Sequence, residues 1–240
     1  MVDSFQPVMA FFMDPMYFVF LAPGLLLAAW AQWRVSSAYS QGSRIPSASG
    51  MNGAEAAAYI MHQAGIENVR IEPISGHLTD HYDPSHKVLR LSEDVYAGSS
   101  LAALGIAAHE AGHAIQDAQG YSPLVIRNLM VPAASLGSNL AWIVMLAGAL
   151  LAMFQLIVLG IVLFSTTVAF QLVNLPVEFD ASRRAREALQ MTGIVSAQED
   201  YTVGKVLNAA ALTYVAATLT AIMTLLYYLF RAGLLGNRDD

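Results

Sequence analysis

Residues 128–177 read NLMVPAASLGSNLAWIVMLAGALLAMFQLIVLGIVLFSTTVAFQLVNLPV, fifty positions between Arg127 and Glu178 without one charged side chain. As helix this run would be about 75 Å long, whereas about 20 apolar residues already cross the roughly 30 Å of hydrocarbon in a bilayer. It is too long for one crossing and right for two. The run predicts a hairpin, Leu129 to Ala152 and Leu156 to Val173, turning near Gln155. The small residues Ala133, Ala134, Ser135, Gly137 and Ser138 suit close helix packing.

Two further charge-free runs lie outside the hairpin. The first, between Asp14 and Arg34, carries Pro23-Gly24 at a predicted kink and ends on Trp30 and Trp33, which mark an interface. The residues ahead of it hold Asp3 and Asp14 and no Lys or Arg, unlike a removable leader, so it reads as a retained anchor. The other, Val206 to Phe230, is the fourth crossing, with Tyr227 and Tyr228 as interface anchors. Composition agrees: 56% of the 240 residues are hydrophobic and 12% charged, about half the charge of a soluble protein. Cysteine is absent, which leaves His, Asp and Glu as metal ligands. A net charge of -6 without any Lys/Arg run argues against a nucleic-acid partner.

Four crossings place both termini on one side and two polar segments on the other. Those segments hold ten of the twelve Lys and Arg residues, against Arg231 and Arg238 on the terminal side. Because Arg34, Arg44, Arg127, Arg183, Arg184, Arg186 and Lys205 lie near span ends, the positive-inside rule puts the polar segments in the cytoplasm. The expected organisation is an anchor over 1–34, an α+β segment over 35–128, a transmembrane hairpin over 129–174, a short polar segment over 175–206 and the last span and tail over 207–240.

Within 35–128 the punctuation is that of a folded unit. A helix over residues 54–61 is closed by Gly65, and Val69 to Glu72 alternate as a strand that Pro73 ends. A turn at residues 83–86 leads into a strand, Lys87 to Ser92. Ser99-Ser100 then caps a helix from Leu101 to about Ala118 that stops at Gly120.

That helix carries His109-Glu110-Ala111-Gly112-His113. Two His four apart share a helical face and can hold one zinc, while the adjacent Glu can take a proton from the attacking water and return it to the leaving amine. This H-E-x-x-H arrangement is that of zinc peptidases. A third protein ligand is required, and the residues after His113 supply none at the spacing of an extended motif. Topology narrows the search to the same membrane side. Glu178 lies there, directly after the hairpin returns, at the expected start of a helix with Pro176 in its first turn. Asp180 is the alternative ligand, or an acceptor for a ligand His N–H.

Several segments, in order, carry a family resemblance: Pro23-Gly24-Leu25-Leu26-Leu27, residues 76–84 (GHLTDHYDP), His109 to Gln116, Leu175 to Phe179 with Ala181 to Ala185, and Leu207 to Ala216. Together they resemble the bacterial membrane-bound neutral zinc metallopeptidases of the YugP type. The resemblance implies a zincin-like, more closely gluzincin-like, domain on a polytopic α-helical protein of the bacterial cytoplasmic (inner) membrane. It also implies one Zn2+ per chain on His109, His113 and Glu178, with Glu110 as base. Relatives carry Asn at the position of Asp180, which weighs against Asp180 as a ligand.

By the same analogy the strand Lys87 to Ser92 is either an edge strand over the cleft, to which an extended peptide adds, or a core strand of a small sheet. His77, His81 and His86 flank it. His77, His81, His86, Tyr82 and Arg183 are candidates for stabilising the oxyanion. The leading function is a zinc endopeptidase acting on peptides or membrane-associated proteins just outside the bilayer, with lipid as its other partner. The alternative is a non-catalytic metal-binding scaffold. A transporter is disfavoured, since the charge-free runs hold no ionisable residue for an ion path.

Overall fold

The computed structural model describes residues 14–235, so Asp3 and Arg238, used above for the leader and the charge count, lie outside the described residues. In chain order the elements are α1 (Pro15–Gly42), α2 (Gly53–Gln63), β1 (Arg70–Ile74), β2 (His81–Asp83), β3 (Val88–Ser92), α3 (Glu93–Tyr96), α4 (Leu101–Ala118), α5 (Ser122–Leu150), α6 (Phe154–Met191) and α7 (Ala197–Arg231). Among the described residues four helices, α1, α5, α6 and α7, are long and apolar enough to cross a membrane. That is the number read from the sequence. Each is longer than a crossing needs; α6, with 38 residues, is about 57 Å of helix.

The described residues divide into two compact units, one of residues 14–29, 126–175 and 214–235, the other of 30–125 and 176–213. In the first, the hairpin turn falls at residues 151–153, where Ala152 adopts φ 52°. Gln155 is thus inside α6 rather than at the turn, because Met153 N–H bonds back to Gly148 and closes α5 earlier. Of the five small residues expected at the packing face, only Ala134 and Gly137 are buried. At Gly137 a Cβ would sit 2.6 Å from the Leu163 carbonyl oxygen, so the two arms approach at a point only glycine allows. Tyr227 is also buried, its ring edge-on to Tyr17.

The second unit is built around α4. Twelve of its eighteen residues are buried, because the run from Leu101 to Ala108 is apolar on all sides and must be covered all round. Ser100 caps its start, accepting from Ala103 N–H, and Gly120 at φ 60° follows its end. Asn52 and Glu55 form a reciprocal capping box on α2, and Gly65 at φ 73° lies beyond it. Ile60 and Met61 from α2, Leu89 and Leu91 from β3, Leu189 from α6 and Val203 from α7 share one core with α4.

The sheet order is β1-β3-β2, with β1 parallel and β2 antiparallel to β3. This corrects two expectations. Pro73 lies within β1 rather than ending it, which is tolerated because β1 is an edge strand and Pro73 is exposed. Residues 88–92 form the central strand, paired with β1 throughout and with β2 over 88–90, so Lys87 to Ser92 is the core-strand alternative rather than the edge strand. Residues 81–83 are a strand, not merely the approach to a turn.

A third correction concerns Pro176 and Glu178. No new helix starts there; both lie inside the continuous α6. Proline removes its own donor and crowds the carbonyl four residues back, yet α6 continues past it to Met191.

Candidate metal centre

His109 and His113 stand one turn apart on α4, with ring centroids 4.8 Å apart and planes at 83°. Glu178 reaches them from α6. Its Oε2 lies 3.3 Å from His109 Nε2 and 3.6 Å from His113 Nε2, and all three side chains are mostly buried. One atom from each of the three residues falls within 4.8 Å of the others. The sequence-predicted trio is therefore brought together.

Close helix approach makes this possible. Gly112, between the two histidines in the motif, faces the Ala181 backbone, and a Cβ at 112 would stand 2.7 Å from the Ala181 carbonyl oxygen. Ala181 lies between Glu178 and Ser182 on α6, so the contact sets how far both are from the imidazoles. Ser182 Oγ is 3.1 Å from His109 Nδ1. Gln116 Oε1 is 3.0 Å from His113 Nδ1. Both rings are thus held at the nitrogen remote from Glu178.

The site's electrostatics fit a cation. Glu178 Oε2 is buried and has no hydrogen-bond partner, a costly state for a carboxylate oxygen unless something positive meets it. Burial pushes the Glu178 carboxyl up, but the two imidazoles facing it together outweigh that and leave it well below the ordinary carboxylate range. Burial pushes His113 down, while Glu178 and Glu110 pull it up more strongly, so its proton affinity is above the usual imidazole value. Two imidazole nitrogens and one carboxylate oxygen are donors that suit zinc. Glu110 is buried beside His109 and makes no hydrogen bond or ion pair among the described residues.

The other sequence candidates bond elsewhere. Asp180 is not in the three-residue group; it pairs with Arg183 and Arg184 and accepts from Gln116 Nε2 at 2.9 Å. The acceptor on His113 is therefore Gln116, and Asp180 reaches the ring only through it. Arg183 is half-exposed and held between Asp180 and Glu187. Tyr82 donates to Asp117 at 2.6 Å, and burial with that carboxylate pushes its phenol up. His81 contacts the Thr79 carbonyl and Arg90, His86 pairs with Asp83, and His77 is 3.7 Å from Asp94. The residues missed from sequence are Gln116, Ser182 and Gly112. Gln116 had a signal, standing three positions after His113 on the same helical face; the other two had none without knowing where α6 packs.

Two histidines a turn apart and a carboxylate from a second helix form a group able to hold a metal ion, in a chain whose described residues include four helices long and apolar enough to cross a membrane. Over residues 17–233 the chain matches the family described as "Putative neutral zinc metallopeptidase", and it belongs to that family. It is 45% identical over 226 residues to "Putative membrane protease YugP" of Bacillus subtilis (strain 168), covering 94% of this chain and 100% of that protein. No solved structure matches it. The chain is a membrane protein of the zinc metallopeptidase class.

Proposed function

We propose that this protein is a zinc-dependent endopeptidase that hydrolyses peptide bonds at the cytoplasmic surface of a bacterial cytoplasmic membrane. One zinc per chain is held by His109, His113 and Glu178, in a gluzincin-like arrangement. The observation that carries this reading is the buried, unbonded Glu178 Oε2 facing the Nε2 atoms of both motif histidines. Zinc, when bound, supplies a Lewis acid for the peptide carbonyl and acidifies water near neutral pH.

The remaining chemistry belongs to the chain's own groups. Glu110 follows the first ligand directly and has no competing partner, so its carboxylate is free to take the proton of the attacking water and pass it to the leaving amine. Ser182 and Gln116 hold the two rings in place while this happens. The cytoplasmic side follows from the Lys and Arg bias described above, with Arg183, Arg184 and Arg186 all lying just beyond the end of the hairpin. Substrates are peptides or membrane-associated proteins, and lipid surrounds the apolar helices.

The test is Glu110→Gln in purified full-length protein. It should retain zinc while cleavage falls by about 10²–10⁴-fold, the usual worth of a general base. Comparing protein N-termini in cells carrying wild type or Glu110→Gln would identify the substrates. Undiminished cleavage by the variant would overturn the role of Glu110, and equal partner capture by both forms without any cleavage would favour a scaffold.

A further inference from the structure

Gln116 is completely buried, with a relative exposure of 0%, and every polar atom of its side chain is used. Nε2 donates to the Val177 carbonyl oxygen at 2.9 Å and to Asp180 Oδ2 at 2.9 Å, while Oε1 faces His113 Nδ1 at 3.0 Å. The first two partners are acceptors only: a backbone carbonyl, and a carboxylate paired with Arg183 and Arg184. An amide nitrogen has two donors to give and an amide oxygen has none.

The amide therefore has one workable orientation. Turned over, it would set its oxygen against two acceptors in a buried site, with no proton for either contact. With Oε1 held toward the imidazole, His113 Nδ1 must be the donor. The ring's bare nitrogen is then Nε2, the atom that faces Glu178 Oε2.

We propose that Gln116 is a positioning residue that fixes His113 in the Nδ1–H tautomer and ties that ring to the segment of α6 bearing Glu178. Its donors grip α6 at Val177, the residue before Glu178, and at Asp180, two after it. A single side chain thus sets both the tautomer of one ligand and the placement of another. Ser182, on α6 one turn after Glu178, contacts His109 Nδ1 from the opposite direction, but its hydroxyl can donate or accept and so leaves the tautomer of that ring open. Resting on the zinc reading above, this assignment adds what the motif alone does not contain: His109 and His113 say which atoms bind, and Gln116 says which way one of them is turned.

The experiment uses the full chain in nanodiscs, with 15N-labelled histidine and His113 assigned by the signal lost in His113→Asn. In metal-free wild type, above the imidazole titration range, the two-bond 15N–1H pattern should show His113 with its proton on Nδ1. In Gln116→Met, similar in size but without donor or acceptor, the pattern should shift toward the Nε2–H form or a mixture. Zinc affinity by chelator competition should fall about 10–100-fold, the usual cost of losing such a partner. A purely structural role would lower the metal-free unfolding temperature without altering the tautomer.

An Nε2–H His113 in wild type overturns the proposal, as does wild-type zinc affinity in Gln116→Met. If Gln116→Met does not fold, the wild-type tautomer still decides. Failure of wild type to bind zinc at all would instead refute the functional reading, whatever tautomer is found.

Discussion

Adding one methyl group at Gly112 should disable the metal centre without touching a ligand. In Gly112→Ala the new Cβ would lie 2.7 Å from the Ala181 carbonyl oxygen, 3.3 Å from its carbonyl carbon and 3.4 Å from its Cα. Ordinary contact begins near 3.4 Å, so α4 and α6 must separate by about 0.7 Å. All three atoms are backbone, so no side-chain rotation can relieve the contact. Overpacking of this kind costs about 1–3 kcal/mol. Glu178 and Ser182 flank Ala181 and would be carried away with it, whereas metal–ligand distances hold to about ±0.2 Å. If that strain appears in binding, zinc affinity falls roughly 5–150-fold, at 1.4 kcal/mol per decade.

Chelator competition on the purified full chain measures the affinity, and thermal unfolding of the metal-free protein measures the strain. Gly105→Ala is the control on the same helix. Its Cβ would meet only the Val203 side chain, at 3.1 Å, so it should bind zinc within roughly twofold of wild type. A Gly112→Ala protein with unchanged zinc affinity and unchanged unfolding would refute the claim that the α4–α6 approach sets the site.

Two further predictions concern the same unit. Asp83 is held down to about 2, chiefly by His86 at 2.7 Å, with further bonds from the His86 N–H and Arg90. A carboxyl lowered in the folded state adds stability above its unfolded value and loses it as pH falls through the folded one. Acid unfolding between about pH 4 and about 2 should therefore be flatter in Asp83→Asn, and an unchanged profile would remove Asp83 from the acid limb. Arg186 pairs with the buried Asp200, joining α6 to α7. Arg186→Met strands that carboxylate and should destabilise the metal-free protein by about 1–3 kcal/mol, read from denaturant midpoints, whereas Arg186→Met with Asp200→Leu should recover part of the loss.

Much of this protein is legible residue by residue. Absence of charge over residues 128–177 is a transfer free energy summed along the chain, so the crossing number follows without knowing any neighbour. The caps of α2 and α4, with Asn52, Ser100, Gly65 and Gly120, are local hydrogen-bond and dihedral requirements met within a few residues. The pairing of His109 with His113 follows from 3.6 residues per turn. Counting crossings places both Glu178 and Asp180 on the side of His113, since two spans return the chain to the side it left.

Tertiary structure decided what depends on distance between segments far apart in the chain. Whether residues 88–92 lie at an edge or at the centre depends on where β1 and β2 pair, and nothing within the strand says so. Pro176 looked like a helix start because proline is preferred there, but a long helix supported along its length passes through it. Asp180 reads from sequence as an alternative ligand or an acceptor for a ligand histidine, whereas the residue against His113 Nδ1 is Gln116, a neutral residue with both a donor and an acceptor end. The sequence by itself determined the membrane class and the spacing of His109 and His113, because those rest on summed hydropathy and helical periodicity. Only the packing of α6 on α4 decided how the ligands are held, because that rests on a glycine–backbone contact and a buried amide whose partners lie more than sixty residues away.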